Sequence, residues 1–179
     1  MEEWLEGEVV KNVKWTKNLA SLKIKAKINN HQAGQFTRIG LKVNDDFITR
    51  SYSYASAPKD EILEIIYVNI PNGKLSPILH NLEIGDKVSV MQQAIGYFTL
   101  DEIPDGENLW MLATGTALGV FLAILKTSSP WKRFKKVILI HSVRYAEELI
   151  YQDLIAEMKQ RNPDQFIYLN SVTRSKVKG

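Results

Sequence analysis

Arg50, Tyr52 and Ser53 fall together in the stretch RSYSYAS, Arg50 to Ser56. The guanidinium of Arg50 can grip a phosphate through two parallel hydrogen bonds, the ring of Tyr52 can stack on a planar heterocycle, and the hydroxyls of Ser51 and Ser53 can bond to ring heteroatoms. In a strand, Arg50 and Tyr52 share one face and Ser51 and Ser53 the other, unless the strand end bends. Taken alone, the stretch reads as an ordinary strand with one exposed arginine. Downstream, GKLSPIL, Gly73 to Leu79, sets a glycine before a helix start in which Ser76 and Pro77 read as N-cap and first-turn residues. Unpaired N–H groups and partial positive charge at such an end attract phosphate. The ordinary alternative is a plain cap after a turn.

Later in the chain ATGTALG, Ala113 to Gly119, lies between an apolar run and a helical stretch, where parallel α/β sheets bind nucleotides. It lacks the GxGxxG fingerprint, so it is not an ordinary dinucleotide-binding loop. Arg144 in HSVRYAEEL and Thr173–Arg174 in SVTRS stand just beyond strand ends, where a cation can meet a 2′-phosphate and an acidic residue would suit a free ribose. Each arginine by itself reads as a solvated side chain.

What the chain lacks is also informative. With no cysteine in 179 residues, disulfides, zinc–thiolate sites, cysteine nucleophiles and cysteine-ligated clusters are excluded within it. The histidines, His31, His80 and His141, lie far apart with no HExxH or HxH pattern, so no metal site is expected; His141, in the apolar run VILIH, reads as a satisfied structural residue. Glu147 and Glu148 read as first-turn helix carboxylates. WKRFKK, Trp131 to Lys136, reads as a solvated connection. The net charge of +3 suits an acidic partner or phosphorylated ligand, and no nucleic-acid role is expected. No window approaches the roughly 18 apolar residues of a membrane span, and the start MEEWLEGEVV lacks the regions of a signal peptide, so a cytoplasmic protein away from the membrane is expected.

The elements that must position these groups change in kind along the chain. Up to about residue 100, short strand-like runs alternate with turns, as in a barrel or sandwich: GEVVKNVKW, ASLKIKAKI, QFTRIGLKV, FITRSYSYAS, EIIYVNI and DKVSVMQQ, with one short helix at PILHNL. In ASLKIKAKI, Leu22, Ile24, Ala26 and Ile28 alternate with polar residues, which marks a half-buried strand. From about residue 101 the runs LWMLA, KVILIHS and FIYLNSV alternate with helical ALGVFLAILK and AEELIYQDLIAEMKQR, the grammar of βαβ units around a parallel sheet. The expectation is a six-stranded antiparallel β barrel with one short helix over residues 1–101, then an incomplete α/β parallel-sheet domain over 102–179, with the boundary near Asp101 to Glu107.

Together the motifs R-x-Y-S-x-x-S and G-x-x-S-x-x-L closely resemble the flavin signature of the ferredoxin–NADP reductase family. Agreement with its bacterial branch runs on through YVNIPNGKLSPIL, GYFTLDEIP, LWMLATGTALG and HSVRYAEELIY. The resemblance implies that Arg50 binds the FAD pyrophosphate, Tyr52 packs on the isoalloxazine, Ser53 bonds near flavin N5, where hydride arrives, and Ser51 lies along the same cofactor. Tyr52 and Ser53 are thus the implied catalytic residues. It places Tyr67, Val68 and Asn69 beside the flavin and ribityl chain, Lys74, Leu75 and Ser76 at the phosphates, and Thr116 against the flavin. FAD is favoured over FMN because two separate phosphate elements suit a pyrophosphate. Val143 with Arg144 and Thr173 with Arg174, at matching positions, favour NADP(H). Val120 stands where the family often has proline.

The implied activity is electron exchange between NADP(H) and ferredoxin or flavodoxin, by a protein that is a monomer when intact. The family's chain continues through a C-G-x-P segment and an aromatic tail that this sequence does not contain. Two other readings therefore stand beside the first: an FAD-binding fragment with little turnover, and a related flavin reductase or oxygenase reductase component.

Overall fold

The computed structural model describes residues 3–28 and 30–174. The first unit holds β1 (Trp4–Lys14), β2 (Leu19–Lys25), β3 (Phe36–Val43), β4 (Asp46–Ser53), β5 (Leu63–Val68), α1 (Ser76–Asn81) and β6 (Lys87–Met91). Its strands form one six-stranded sheet in the order β4-β3-β6-β1-β2-β5, with antiparallel pairing throughout. A bridge between Tyr54 and Ile65 links the two edge strands, so the sheet curls toward closure as expected of a barrel. Alternation explains why β2 serves two masters. Ala20, Leu22 and Ile24 point into the barrel core with Val9, Ile39, Ile65 and Val90, while Leu19 on the other face joins the core of the second unit.

Leu75 and Leu79 plug the barrel from α1. Asn12 on β1 fixes that plug: its Nδ2 donates to Leu79 O at 2.9 Å and Leu82 O at 3.0 Å, while Tyr67 Oη donates to its Oδ1 at 3.0 Å. Ser76 differs from the sequence expectation. Leu75 holds the N-cap position and no side chain caps the helix; the Ser76 hydroxyl instead accepts from Ile70 N at 3.0 Å. The reason is the tight turn before it, closed by Gly73 N donating to Ile70 O at 2.7 Å, which brings that hydroxyl over the turn. A Cβ on Gly73 would lie 2.9 Å from the Ser76 hydroxyl.

The second unit holds β7 (Asn108–Thr114), α2 (Leu118–Leu125), α3 (Ser129–Arg133), β8 (Lys136–Val143), α4 (Gln152–Arg161) and β9 (Phe166–Val172). Its strands pair in parallel in the order β7-β8-β9. Leu109, Met111, Val137, Leu139 and Phe166 face α2 and α4. On the opposite face the register lines up Trp110, Ile138 and Ile167 in one row and Leu112, Ile140 and Leu169 in the next. Trp110 is 58% exposed and Leu112 67%. Parallel sheets are ordinarily covered on both faces, so this one stands open among the described residues.

Two further expectations are corrected. The expected helix over Ala146 to Arg161 is broken into a 3₁₀ turn, Ala146–Glu148, and α4, with Tyr151 between them in the left-handed region at φ 59°. Two tethers impose the break: Glu148 binds backbone N–H groups behind it, and Tyr151 Oη donates to Glu64 Oε1 on β5 at 2.6 Å. Glu148 is therefore a loop brace and not a dipole partner of a long helix. The basic run at Trp131 contains the end of α3, and Arg133 within it donates to Leu100 O at 2.6 Å and Ile103 O at 2.7 Å, so it pins the connection between the units.

His31 and His141 are both buried, and burial holds both imidazoles below the ordinary histidine value. His141 is buried on β8, and the Gly115 backbone beside its ring works against the downward push of burial. Because both folded-state values are depressed, the stability these groups contribute is present above the unfolded value of about 6.5 and is lost as pH falls through the folded values. Urea unfolding midpoints should therefore hold level from about pH 7 to 8 and decline below about 6.5. A level profile down to pH 5 would contradict this.

Candidate functional site

β4 sets Arg50 opposite Ile39 and Tyr52 opposite Thr37 on β3. Arg50 and Ser51 are exposed and Tyr52 and Ser53 half-buried, so strict alternation fails at the strand end. The chain bends there to join β5, with Ala55 N donating to Glu64 O at 2.7 Å. Arg50 has no carboxylate partner among the described residues; its Nη1 donates only to Thr49 O, at 2.7 Å. Burial pushes the Tyr52 hydroxyl up to about 12, against the opposing charge of Arg50, so near neutral pH it is a hydrogen-bond donor and not a base.

β5 supplies the adjoining wall. The Tyr67 side chain is buried in the barrel core, its hydroxyl also pushed up to about 12 by burial, which leaves its main chain to face a ligand. Val68 is exposed. Asn69 N donates to Asn18 O at 2.6 Å, whereas Asn69 Oδ1 is buried without a partner. The first intrahelical bonds of α1 run from Ile78 N and Leu79 N to Leu75 O, and Pro77 has no N–H, so the leading donors are the main-chain groups of Lys74, Leu75 and Ser76. Leu75 and Ser76 are buried and contribute backbone; only Lys74 projects a charge.

The second unit closes on these strands through α2. A Cβ on Gly119 would lie 3.2 Å from Ile66 Cδ1 and 3.3 Å from Ala55 Cβ, so glycine there permits the close approach. Just before it, the Gly115–Ala117 turn, with Gly115 at φ 53° and Thr116 half-buried, lies against β5. Val120 is partly buried at the second core. Lys126 at the far end of α2 donates to Ala55 O at 2.8 Å and lies 3.8 Å from Glu64. Arg144 and Arg174 are brought together at neighbouring strand ends: Arg174 N donates to Arg144 O at 2.8 Å and Thr173 N to Val143 O at 2.9 Å. The Val143 side chain is buried and both arginine side chains are exposed.

An adenine dinucleotide with a flavin ring fits the first wall. Arg50, which has no carboxylate partner among the described residues, and the leading N–H groups of α1 offer two phosphate donors, and the orphaned Asn69 oxygen can accept from a ribityl hydroxyl. Sequence reasoning missed Asn12, Glu64, Tyr151 and the Gly119 contact. Their partners lie far away along the chain, and no local pattern marks them.

A curled antiparallel barrel with a flavin wall, joined to a parallel nucleotide sheet, defines a two-domain flavoprotein oxidoreductase. Models of an oxidoreductase FAD-binding domain and an oxidoreductase NAD-binding domain match residues 6–98 and 111–178. The chain is 42% identical over 179 residues to the flavodoxin/ferredoxin–NADP reductase of Escherichia coli K12, spanning 72% of that protein's length. It is 44% identical over 167 residues to the one from Buchnera aphidicola subsp. Schizaphis graminum, spanning 65% of its length. A crystal structure of a ferredoxin NADP⁺ reductase from Neisseria gonorrhoeae with bound FAD and NADP matches with a TM-score of 0.89 at 31% identity, over 98% of this chain and 71% of that one. The chain belongs to the flavodoxin/ferredoxin–NADP reductase family, and its cofactors are FAD and NADP(H).

Proposed function

We propose that this protein passes electrons between NADP(H) and ferredoxin or flavodoxin through FAD held along β4, β5 and the start of α1. FAD supplies the conversion from two-electron hydride chemistry at N5 to single-electron transfer, a property of the cofactor that the protein orients and tunes. Arg50 and the N–H groups of Lys74, Leu75 and Ser76 hold the two ends of the pyrophosphate. Tyr52 packs on the ring, Ser53 donates near N5, Ser51 lies along the same cofactor, and the backbone of Tyr67 and Val68 lines the ring edge. Asn69 accepts from the ribityl chain. Thr116 touches the flavin from the second domain. Arg144 and Arg174, with Val143 and Thr173 shaping their loops, take the 2′-phosphate of NADP(H). The FAD-binding domain spans residues 1–101 and the NADP-binding domain starts at residue 102. A cytoplasmic location and a monomeric intact protein complete the reading.

The observation that carries it is the buried Asn69 oxygen that has no hydrogen-bond partner, with Arg50 on β4 free of any carboxylate among the described residues. Denaturing flavin-loaded protein should release FAD, identified by chromatography; FMN or no flavin after reconstitution would overturn the reading. Ser53→Ala should retain FAD and slow single-turnover reduction, because one hydrogen bond strengthened in the transition state acts on rate more than on binding. Unchanged reduction would remove Ser53 from the chemistry.

A further inference from the structure

We propose that Glu148 is the positioning residue that gives the arginine pair its specificity for a 2′-phosphate, an inference that rests on the reading of Arg144 and Arg174 above. Beyond the end of β8 the chain leaves the sheet, and the N–H groups of Arg144 and Tyr145 no longer have ladder partners. One carboxylate oxygen, Glu148 Oε2, accepts both, at 2.9 Å and 3.0 Å. Glu148 N donates back to Tyr145 O at 3.0 Å and closes the 3₁₀ turn. The peptide groups on either side of the Arg144 Cα are thereby both held, the N–H by Glu148 and the carbonyl by Arg174 N at 2.8 Å.

The direction of that carboxylate decides the chemistry. An acidic side chain free to face the ribose would accept from its 2′- and 3′-hydroxyls and favour NAD, and one paired with Arg144 would cancel the cation a phosphate needs. Glu148 does neither: its Oε2 is turned onto two backbone donors, and among the described residues Arg144 and Arg174 form no ion pair with any carboxylate. Two cations thus emerge from loops bonded to each other, an arrangement suited to a phosphomonoester and offering nothing specific to a diol.

The test is calorimetric titration of FAD-loaded protein with 2′-phospho-AMP and with AMP, for the parent chain, Arg144→Ala, Glu148→Ala and Glu148→Gln. The ratio of the two affinities is the readout, since general loosening of the domain lowers both alike. Charge-assisted bonds set the scale, so Glu148→Ala should lower the ratio by about tenfold. Glu148→Gln should keep the parent ratio, because its amide oxygen can accept from the same two N–H groups. An unchanged ratio in Glu148→Ala alongside a fall in Arg144→Ala would overturn the role of Glu148 and leave the arginine reading standing. An unchanged ratio in Arg144→Ala would overturn the arginine reading and the proposal with it. A rise in 2′-phospho-AMP affinity in both Glu148 variants would show a carboxylate that repels phosphate and would also overturn it.

Discussion

Arg50→Ala is expected to weaken FAD binding by roughly tenfold to a hundredfold, the equivalent of about 1.5 to 3 kcal/mol for a charge-assisted hydrogen bond. The guanidinium stands exposed on β4 with no carboxylate beside it among the described residues, so truncation strands no buried partner there and the loss reflects the ligand contact itself. Arg144→Ala removes an equally exposed cation from the second domain, at the end of β8, and should leave FAD affinity unchanged. Fluorescence titration of the two apoproteins with FAD measures both. Equal affinities would contradict the assignment of Arg50 to the pyrophosphate.

Joining the C-terminal remainder of the Escherichia coli reductase to this chain should raise NADPH-dependent kcat/KM by roughly tenfold or more, with FAD affinity nearly unchanged. The nicotinamide must be placed against the flavin by binding energy drawn from remote phosphate and adenosine contacts, and misplacement is costly in rate. Among the described residues the sheet face bearing Trp110, Leu112, Ile167 and Leu169 is exposed, and β7 and β9 are the edges of the three-stranded sheet. An open apolar face next to unpaired edges favours association, so the short chain should also elute as oligomers whose proportion rises with concentration. The barrel residues that hold FAD are untouched by the extension. If the short chain already matches the long one in kcat/KM, the added elements are dispensable to the nucleotide cleft.

The barrel was legible because its evidence is local. Leu22 and Ile24 alternate with polar neighbours and turn clusters separate the runs, so each strand announces itself within a few residues. The candidate site residues are also close together in sequence: Arg50, Tyr52 and Ser53 sit on β4, and Gly73 to Ser76 run from the end of one turn into the start of α1. What the sequence hid depends on distant partners. The break at Tyr151 follows from a hydrogen bond to Glu64, which lies on another domain's strand, and helical periodicity across Ala146 to Arg161 gave no sign of it. Ser76 looked like a cap because its type is right for one, but the returning Ile70 N–H claimed its hydroxyl. The Tyr67 side chain is a core residue anchored on Asn12, a partner 55 residues away that nothing local in the sequence announces. Glu148 carried no signal beyond its charge, and its role became visible only with the loop that it closes.

The most direct test of electron flow from NADPH into FAD is anaerobic stopped-flow mixing of FAD-loaded protein with NADPH or NADH, followed by loss of flavin absorbance. Saturable bleaching by NADPH, much faster than with NADH and followed by recovery of absorbance when oxidised ferredoxin is added, is the expected result. No bleaching by NADPH, or bleaching by NADH at the same rate, would contradict it.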